Sequence, residues 1–491
     1  MLPTGVTIRH PDRLFVGGQW VEPASSNRIE LVDPNTELVV ARVAEASAED
    51  MDRAVTAART AFDEGPWPAM SPQERQHVLR RMLAELERRA PELARAWVAQ
   101  VGGLASIAPG MTGGAHAAFA ATAALGSTYP FIETRAGAVS HTALLVREPV
   151  GVVAAIAPWN APYVIMSAKV ASALIAGCTV IMKPAPETPL EAYILAEAAE
   201  AAGLPPGVLN LACGDRAASE RLVTNPAVDK VSFTGSTLAG KRIASLCGER
   251  IARCTLELGG KSAAIVRDDF PIDRAASILA NAIVLLSGQV CGMLSRAIVS
   301  RARHDALAEA IGREMERIVV GPSDDPATQL GPLAMKRQLD RVETYIEEGK
   351  RTADLVTGGR RPTHLNRGYF IEPTLFANVD NRSRIAQEEI FGPVLSLIPC
   401  DDDADAVRIA NESAYGLNGA VFTEDTEAAY RIARAVRTGN VAQSAMHIDP
   451  TLPIGGFKQS GIGREGGEEG LVAYLETKTI LLDALPQQFA C

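Results

Sequence analysis

The sequence predicts an α/β protein built on doubly wound, parallel β-sheets. From Gly151 onward, short apolar runs typical of strands alternate with helical patterns at a regular pitch, and this alternation is typical of parallel sheets covered by helices. The chain has 491 residues, of which 47% are hydrophobic and 22% charged. Those values are ordinary for a globular protein that buries several cores, and the length suggests two to four domains at about 150 residues each.

The first part of the chain predicts one short strand followed by helices. Residues 14–20 resemble a strand, and apolar residues at three- and four-residue spacing predict helices over 49–62 and 72–101. Residues 102–114 are rich in Gly, Ala and Ser and predict a loop. Alternating apolar and polar residues over 136–148 then predict a strand that pairs outside the core.

Two successive α/β runs follow. The strands predicted for the first run are residues 152–157, 179–182, 208–212, 230–233 and 254–258, with helices that include 188–202 and 237–247. The strands predicted for the second run are residues 263–266, 297–300, 394–398 and 419–422. Residues 477–485 return to a strand pattern and require a partner strand.

Charge and cysteine content exclude several classes of function. Lys and Arg number 48 against 58 Asp and Glu, a formal net charge of -10, so broad binding to nucleic-acid phosphates is not expected. The seven cysteines form no CxxC pair and no Cys/His cluster, which predicts neither a metal site nor a disulfide framework. Without a signal peptide or an apolar run long enough to span a bilayer, the sequence predicts a cytoplasmic protein with reduced thiols.

Three strand-end segments carry residues suited to binding. In FTGSTLAG, Gly235 and Ser236 lie between a strand and a helix, where backbone N–H groups and the helix dipole favour an anion such as a pyrophosphate. Lys183 ends another strand in MKPAPETP, and Trp159 and Asn160 lie in the proline-stiffened turn PWNAP. The Asn160 amide could donate a hydrogen bond to an oxyanion. Taken singly, each segment is more often an ordinary turn or a solvated lysine.

Two further segments carry candidate reactive groups. Glu257 lies in the apolar strand end LELGGK, where burial would raise its pKa toward that of a general base. A buried, ion-paired glutamate is an equally good interpretation. Cys291 lies in SGQVCGMLSR between Gly288 and Gly292, which let a substrate approach the backbone. Most free cysteines are inert, so the order of all five segments along one α/β pattern carries the functional interpretation.

That combination resembles the NAD(P)-dependent aldehyde dehydrogenase superfamily over nearly the whole chain, from FVGGQWV to YLETKT. Supporting matches are EEIFGPV, YGLNGAVFT and PIGGFKQSGIGRE. The resemblance implies an aldehyde dehydrogenase-like fold of two doubly wound domains and a small β oligomerisation element, in a homodimer or homotetramer. The implied division is a cofactor-binding domain of residues 1–135 and 151–258, a catalytic domain of 259–456, and an oligomerisation element of 136–150 and 474–491, with 457–473 returning to the cofactor domain.

The resemblance also implies the chemistry. Cys291 would attack a small-molecule aldehyde to form a thiohemiacetal, and hydride transfer to NAD(P)+ would leave a thioester. Glu257 would activate water for hydrolysis, while Asn160 and the Cys291 backbone N–H would form an oxyanion hole. Lys169 and Glu476 match positions that the family implicates in a proton relay.

For the cofactor, the resemblance implies NAD, with NADP possible. The residues that match the family's cofactor contacts are Trp159, Lys183, Gly235, Ser236, Glu389 and Phe391. Pro186 stands where many NAD-preferring members carry an acid that binds the ribose hydroxyls and would repel a 2′-phosphate. Its absence leaves NADP open, although NAD is favoured.

Several departures from the family pattern lie near the substrate channel. Ala161, Ala168 and Ile454 stand where aromatic residues are common, and Leu286 and Ser444 each replace an Asn. The loss of ring volume predicts a wide channel and a bulky, apolar aldehyde, aromatic or terpenoid.

Two alternatives remain open at this point. A CoA-acylating aldehyde dehydrogenase would release the thioester to CoA, but Glu257 argues against it because hydrolysis is the step that needs a base. A non-catalytic homologue should have lost the thiol, the base or the oxyanion Asn, and this chain retains Cys291, Glu257 and Asn160.

Overall fold

The computed structural model describes residues 2–139 and 142–489. The N-terminal part comprises β1 Leu14–Val16, β2 Gln19–Val21, β3 Arg28–Asp33, β4 Leu38–Ala44, α1 Ala48–Asp63, α2 Pro72–Arg88, α3 Ala90–Val101 and α4 Ala108–Thr128. The next part comprises β5 Ile132–Arg135, β6 Thr142–Pro149, β7 Val152–Ile156, α5 Pro162–Ala176, β8 Thr179–Lys183, α6 Leu190–Ala201, β9 Leu209–Leu211, α7 Arg216–Thr224, β10 Lys230–Thr234, α8 Thr237–Glu249 and β11 Arg253–Glu257.

The second half follows the same rhythm. It comprises β12 Ser262–Val266, α9 Ile272–Val284, β13 Leu294–Ser300, α10 Arg301–Glu316, α11 Lys336–Thr352, β14 Asp354–Thr357, β15 Thr374–Ala377, α12 Arg384–Gln387, β16 Val394–Cys400, α13 Asp403–Asn411, β17 Gly419–Phe422, α14 Thr426–Ala435 and β18 Ala442–Gln443. The C-terminal part comprises β19 Gly461–Ile462, α15 Gly467–Val472 and β20 Leu475–Leu482.

The first large sheet has the strand order β19-β11-β10-β7-β8-β9-β1-β2. Its central strands, β11 to β9 in that order, are parallel, and the short strands at both edges are antiparallel. The central strands β7, β8 and β10 are buried throughout, because helices cover both faces of the sheet. Ligands in such sheets bind at the carboxyl ends of the strands.

The second sheet has the order β14-β15-β16-β13-β12-β17-β18, and all of its pairs are parallel except β14 with β15. Two apolar clusters, one on each face, form its core. Two helix-covered, mainly parallel sheets confirm the predicted α/β fold class.

A third, small sheet has the order β20-β6-β5. The register of β20 with β6 is antiparallel over the full length of both strands, from Leu475 opposite Pro149 to Leu482 opposite Thr142. The C-terminal strand therefore has its partner within this chain. Residues 140–141 and 490–491 of the predicted oligomerisation element lie outside the described residues, and the division into domains stays a prediction.

The predicted loop at residues 102–114 is partly wrong, because α4 begins at Ala108. Gly110, Gly113 and Gly114 lie within this helix where an added Cβ would meet nothing within 4 Å. Each glycine costs the helix about 1 kcal/mol relative to alanine, and the buried face of α4, which includes Phe119, outweighs that cost through core packing.

Among the described residues, no helix combines the length and the apolar character that a membrane crossing requires.

Candidate active site

A cleft of about 230 Å³ collects most of the residues that the sequence singled out. Strand-end segments of the first sheet and the loop before β13 form its walls. The predicted residues that line it are Trp159, Asn160, Gly235, Ser236, Glu257, Cys291, Glu389 and Phe391. Chain segments more than 200 residues apart thus meet at one point, as expected for the carboxyl ends of parallel strands.

The loop that carries Cys291 has a constrained backbone. Leu286 and Ser287 have φ angles of 52° and 55°, in the left-handed region that costs non-glycine residues about 1 kcal/mol or more each. The Ser287 hydroxyl donates to the Gly331 carbonyl at 3.0 Å, and the Gln289 side chain donates to the Leu286 carbonyl at 3.0 Å. These bonds hold the loop in its strained shape and so fix the position of Cys291.

Asn160 is rigidly held after the end of β7. Its side chain is buried and donates through Nδ2 to the Gln289 carbonyl at 2.8 Å, and its backbone carbonyl accepts from Trp97 Nε1 at 3.1 Å. One amide N–H is used by this bond, which leaves the second N–H for a ligand in the cleft. A preorganised amide beside Cys291 suits the stabilisation of an oxyanion.

Glu257, at the end of β11, is a buried carboxyl group. Burial, reinforced by the nearby Glu465 carboxylate, raises the pKa of Glu257 to about 8, and its Oε1 atom has no hydrogen-bond partner among the described residues. The Cys291 thiol lies within hydrogen-bonding reach of this carboxyl group. Burial and then the negative charges of Glu257 and Glu389 raise the pKa of Cys291 well above its ordinary value. The two groups therefore form a proton-sharing pair of nucleophile and base.

The two glycines after Glu257 allow close packing around the cleft. A Cβ on Gly259 would lie 2.3 Å from Glu389 Oε2, and one on Gly260 would lie 2.3 Å from the Cys291 carbonyl oxygen. The Gly260 N–H donates to Glu389 Oε1 at 3.1 Å, and burial raises the pKa of Glu389 to about 7. Side chains at these two positions would push Glu389 and Cys291 away from Glu257.

The residues of the FTGSTLAG turn have features that suit a dinucleotide. Ser236 caps α8 through its side chain, and a Cβ on Gly235 would lie 2.5 Å from the Phe233 ring. Gly235 and Ser236 line the cleft, so the N-terminus of α8 lies at its wall, where anion binding is favourable. On the other side, the Trp159 and Phe391 rings meet edge to face with centroids 5.3 Å apart.

Lys183 lines a second cavity of about 400 Å³, which α8 borders through Ala239, Ile243 and Leu246. Burial lowers its pKa. Pro186 lines the same cavity, and so does Glu187, whose carboxylate pairs with Arg337 at 2.5 Å. Two cavities border the segment of β10 and α8, and one of them contains a buried ammonium group. This arrangement suits the two halves of a dinucleotide.

The predicted relay pair requires a correction. Lys169 is fully buried, donates to Ser232 Oγ at 3.2 Å and forms an ion pair with Glu465. Glu476 lies instead on β20, where its side chain is 45% exposed and pairs with Arg253 at 2.7 Å. Glu476 therefore lies apart from the ion pair of Lys169 with Glu465.

Sequence reasoning missed Glu465 although it ends the quoted segment PIGGFKQSGIGRE. The sequence signal was the segment itself, which had been matched to the family. In the structure it contains β19, which pairs antiparallel with β11 at Glu257.

Gln338 and Arg341 of α11 also line the cleft. They donate to the backbone carbonyls of Phe391 and Glu389 at 2.6 and 2.5 Å and so hold that turn. Nothing in the pattern of an amphipathic, charged helix distinguishes them.

A thiol beside a carboxyl group of raised pKa and a fixed amide donor is typical of enzymes that act through a cysteine. The adjoining cavity on an α/β scaffold suits a dinucleotide cofactor, as in many oxidoreductases. The aldehyde dehydrogenase family model matches residues 20–480. The chain therefore belongs to the aldehyde dehydrogenase family and is an enzyme of that class.

Individual relatives cover the full length. Geranial dehydrogenase from Castellaniella defragrans is 44% identical over 482 residues, 97% of this chain and 100% of the relative. A Mycobacterium tuberculosis aldehyde dehydrogenase complexed with NAD+ has a TM-score of 0.94 at 41% identity, covering 99% of this chain and 100% of that one. A mutant of aldehyde dehydrogenase C from Pseudomonas syringae, complexed with NAD+ and octanal, has a TM-score of 0.94 at 38% identity, covering 98% and 99%.

Proposed function

We propose that this enzyme oxidises a bulky, apolar aldehyde to its carboxylic acid, with NAD as the hydride acceptor. The observation that carries the proposal is the meeting of Cys291, Glu257 and Asn160 in one cleft. Each supplies one function that the reaction needs: a nucleophile, a base and an oxyanion donor.

In the first half of the reaction, the Cys291 sulfur bonds to the aldehyde carbon and its proton passes to the adjacent Glu257 carboxylate. The carbonyl oxygen becomes an oxyanion that accepts hydrogen bonds from the Asn160 amide and the Cys291 backbone N–H. Loss of hydride from the same carbon then re-forms the carbonyl and leaves a Cys291 thioester. When bound, NAD supplies the acceptor for that hydride.

In the second half, Glu257 first gives up the thiol proton to solvent. Water then attacks the thioester carbon while the Glu257 carboxylate removes a proton from it, and the oxyanion again lies at the Asn160 amide. The C–S bond breaks to give the acid, and the sulfur takes up the proton held by Glu257 to restore the thiol. Because the Glu257 Oε1 atom lacks a hydrogen-bond partner among the described residues, it can accept one from this water. A CoA-acylating enzyme would not need that base, which keeps CoA transfer the weaker alternative.

The cofactor site that we propose uses both cavities. Lys183 and the α8 N-terminus at Gly235 and Ser236 would bind the adenosine and pyrophosphate part, and Glu389 and Phe391 would hold the nicotinamide half. Trp159 contacts Phe391 edge to face and would close the site against water.

The apolar side chains that follow Asn160 in the chain support a bulky, apolar substrate. Ala161 is the N-cap residue of α5, Ile165 and Ala168 follow it at helical spacing, and Ile165 lines the cleft. Ile454 is half-buried, and Leu452, two residues earlier in the sequence, is exposed. One relative is named for geranial and another was crystallised with octanal, and both compounds are apolar aldehydes.

We expect kcat/KM to be at least about 10-fold higher for a ten-carbon aldehyde or benzaldehyde than for acetaldehyde, since each buried methylene contributes about 0.8 kcal/mol. In the variant Ala161→Phe, the ring should remove most of this preference and leave acetaldehyde oxidation nearly unchanged. Ala161→Ser adds no ring and is the matched control. Initial rates of NADH formation over an aldehyde panel measure the ratio, and a higher kcat/KM for acetaldehyde in the wild type would contradict the proposal.

We expect NAD to be used with a kcat/KM about 10-fold or more above that of NADP. Pro186 cannot repel a 2′-phosphate, but the Glu187 carboxylate lines the same cavity and would do so by like-charge repulsion. Glu187→Gln should therefore raise the NADP efficiency by up to about 10-fold, worth about 1.4 kcal/mol, with little effect on NAD. A wild-type preference for NADP would overturn this assignment.

For the oligomer, we propose a homodimer or homotetramer formed through the β20-β6-β5 sheet. Its two edge strands carry exposed apolar side chains, Leu481 on β20 and Ile132 on β5, and exposed edges of this kind favour pairing with another copy. Sedimentation of the purified chain tests this, and a monomer would contradict it.

A further inference from the structure

We propose that Ser232 and Tyr474 are positioning residues that hold the Lys169–Glu465 ion pair beside Glu257. Through Tyr474, the start of β20 would thereby influence the step in which Glu257 activates water. The inference rests on the proposed function of Glu257 and extends it to groups that do not touch the substrate.

Ser232 lies at the centre of this network, which we call the Ser232 cluster: Lys169, Ser232, Glu465 and Tyr474. The Ser232 hydroxyl accepts from Lys169 Nζ at 3.2 Å and from the Tyr474 hydroxyl at 2.9 Å. It donates to Glu465 Oε1 at 3.3 Å. One donor and two acceptor sites are all that a serine hydroxyl has, so each is used and the geometry of the ion pair is fixed.

The cluster is shielded from water. Lys169, Ser232 and Tyr474 are each 1% exposed or less, whereas the Glu465 side chain is 15% exposed. A buried ammonium group must be paired and hydrogen-bonded to stay charged. Ser232 completes this pairing, because among the described residues it is the one acceptor besides Glu465 that receives a hydrogen bond from Lys169 Nζ.

Tyr474 connects the cluster to the small sheet. It immediately precedes β20, and its carbonyl accepts from the Val150 N–H at 3.0 Å, just after β6 ends. The Lys230 ammonium lies 4.9 Å from the centre of the Tyr474 ring and donates to Thr255 Oγ1 at 2.6 Å. The ring is thus fixed on one side by a cation–π contact while its hydroxyl reaches Ser232.

Strand register places the cluster next to Glu257. Ser232 lies opposite Thr255 in the pairing of β10 with β11, and Glu257 follows two residues later on the same strand. Gly461 lies opposite Glu257 on the other side, and the chain from there leads directly to Glu465. The charged and titratable groups that face Glu257 are Lys169, Glu465, Cys291 and Glu389.

A defined ion pair matters here because Glu257 must lose the proton that it takes from water before the next turnover. Lys169 favours the ionised carboxylate of Glu257, and Glu465 opposes it. A small movement of either charge changes the balance. Removal of one hydroxyl from the cluster should loosen the pair without changing its net charge.

The test compares Ser232→Ala and Tyr474→Phe with the wild type in the pH profile of kcat and in the pre-steady-state burst of NADH. We expect each variant to lower kcat about 10-fold and to shift the acidic limb of its pH profile by at least about 0.5 pH unit, while KM and burst amplitude stay unchanged. Ser232→Thr retains the hydroxyl and should restore the profile. Because both residues act through one ion pair, the double variant should be no worse than either single variant.

Tyr193→Phe is the matched control. Tyr193 is fully buried in the same core, and its hydroxyl has no hydrogen-bond partner among the described residues, so its removal should leave the pH profile unchanged. A wild-type enzyme that oxidises no aldehyde would refute the proposed function itself. An active wild type whose Ser232→Ala and Tyr474→Phe variants keep the wild-type pH profile, even with lower melting temperatures, would overturn only this inference.

Discussion

Cys291→Ala should lower aldehyde oxidation by about 10⁴-fold or more, because without the sulfur no covalent intermediate forms and both half-reactions are lost together. The fold should not change, since the loop geometry depends on Ser287 and Gln289 rather than on the thiol. Progress of NADH absorbance with excess NAD and a ten-carbon aldehyde measures the loss.

Cys254→Ala is the matched control for this prediction. Cys254, like Cys291, is a partly exposed free cysteine, but it lies on β11, three residues before Glu257, and does not line the cleft. The control should retain wild-type turnover, and NAD binding measured by quenching of tryptophan fluorescence should persist in Cys291→Ala. Undiminished turnover in Cys291→Ala would refute the nucleophile assignment and favour a different reaction.

The fold class could be predicted because the period of the hydrophobic pattern changes where strands give way to helices. Strands buried on both faces appear as continuous apolar runs, such as VVAAI in β7, and their ends carry the polar residues that the cleft collects. Asn160, Glu257 and Cys291 were accessible to sequence reasoning for that reason: Glu257 ends β11, and Asn160 and Cys291 lie in the short connections from β7 to α5 and from α9 to β13.

What the sequence could not predict depends on contacts between distant segments. Glu476 and Glu465 are both glutamates near the C-terminus, and only the antiparallel pairing of β19 with β11 brings Glu465 toward Glu257 while β20 turns Glu476 to Arg253. The start of α4 was missed for a related reason. Its glycines favour a loop locally, and the helix exists because Phe119 and its neighbours pack against the core.

Glu257→Gln should separate the two half-reactions. The amide keeps the shape of the carboxyl group but cannot take a proton from water, so thioester hydrolysis should fall by about 10³-fold, within the range for loss of a general base. Thiohemiacetal formation and hydride loss need the base less, because the thiol proton can also leave by way of solvent. Rapid mixing should therefore give a burst of about one NADH per active site, followed by a very slow steady state.

The pH dependence of kcat gives the same assignment independently. Burial raises the pKa of Glu257 to about 8, so at pH 7 most of the enzyme holds the protonated, inactive acid. The fraction in the basic form grows as the pH rises. When hydrolysis limits the rate, wild-type kcat should climb through about pH 8 and then level off, whereas the residual rate of Glu257→Gln should lack this limb.

Glu191→Gln is the matched control, since it makes the same chemical change in a buried glutamate outside the cleft. Burial raises the pKa of Glu191 well above its ordinary value, and its Oε2 atom accepts a hydrogen bond from Gln100 Nε2 at 2.9 Å, which an amide oxygen can also accept. An amide there should leave both burst and steady state intact. Addition of CoA distinguishes the rival activity: thioester transfer to CoA would accelerate the wild type and rescue Glu257→Gln. Hydrolysis predicts neither effect, because in that reaction the accepting group is the water that Glu257 activates.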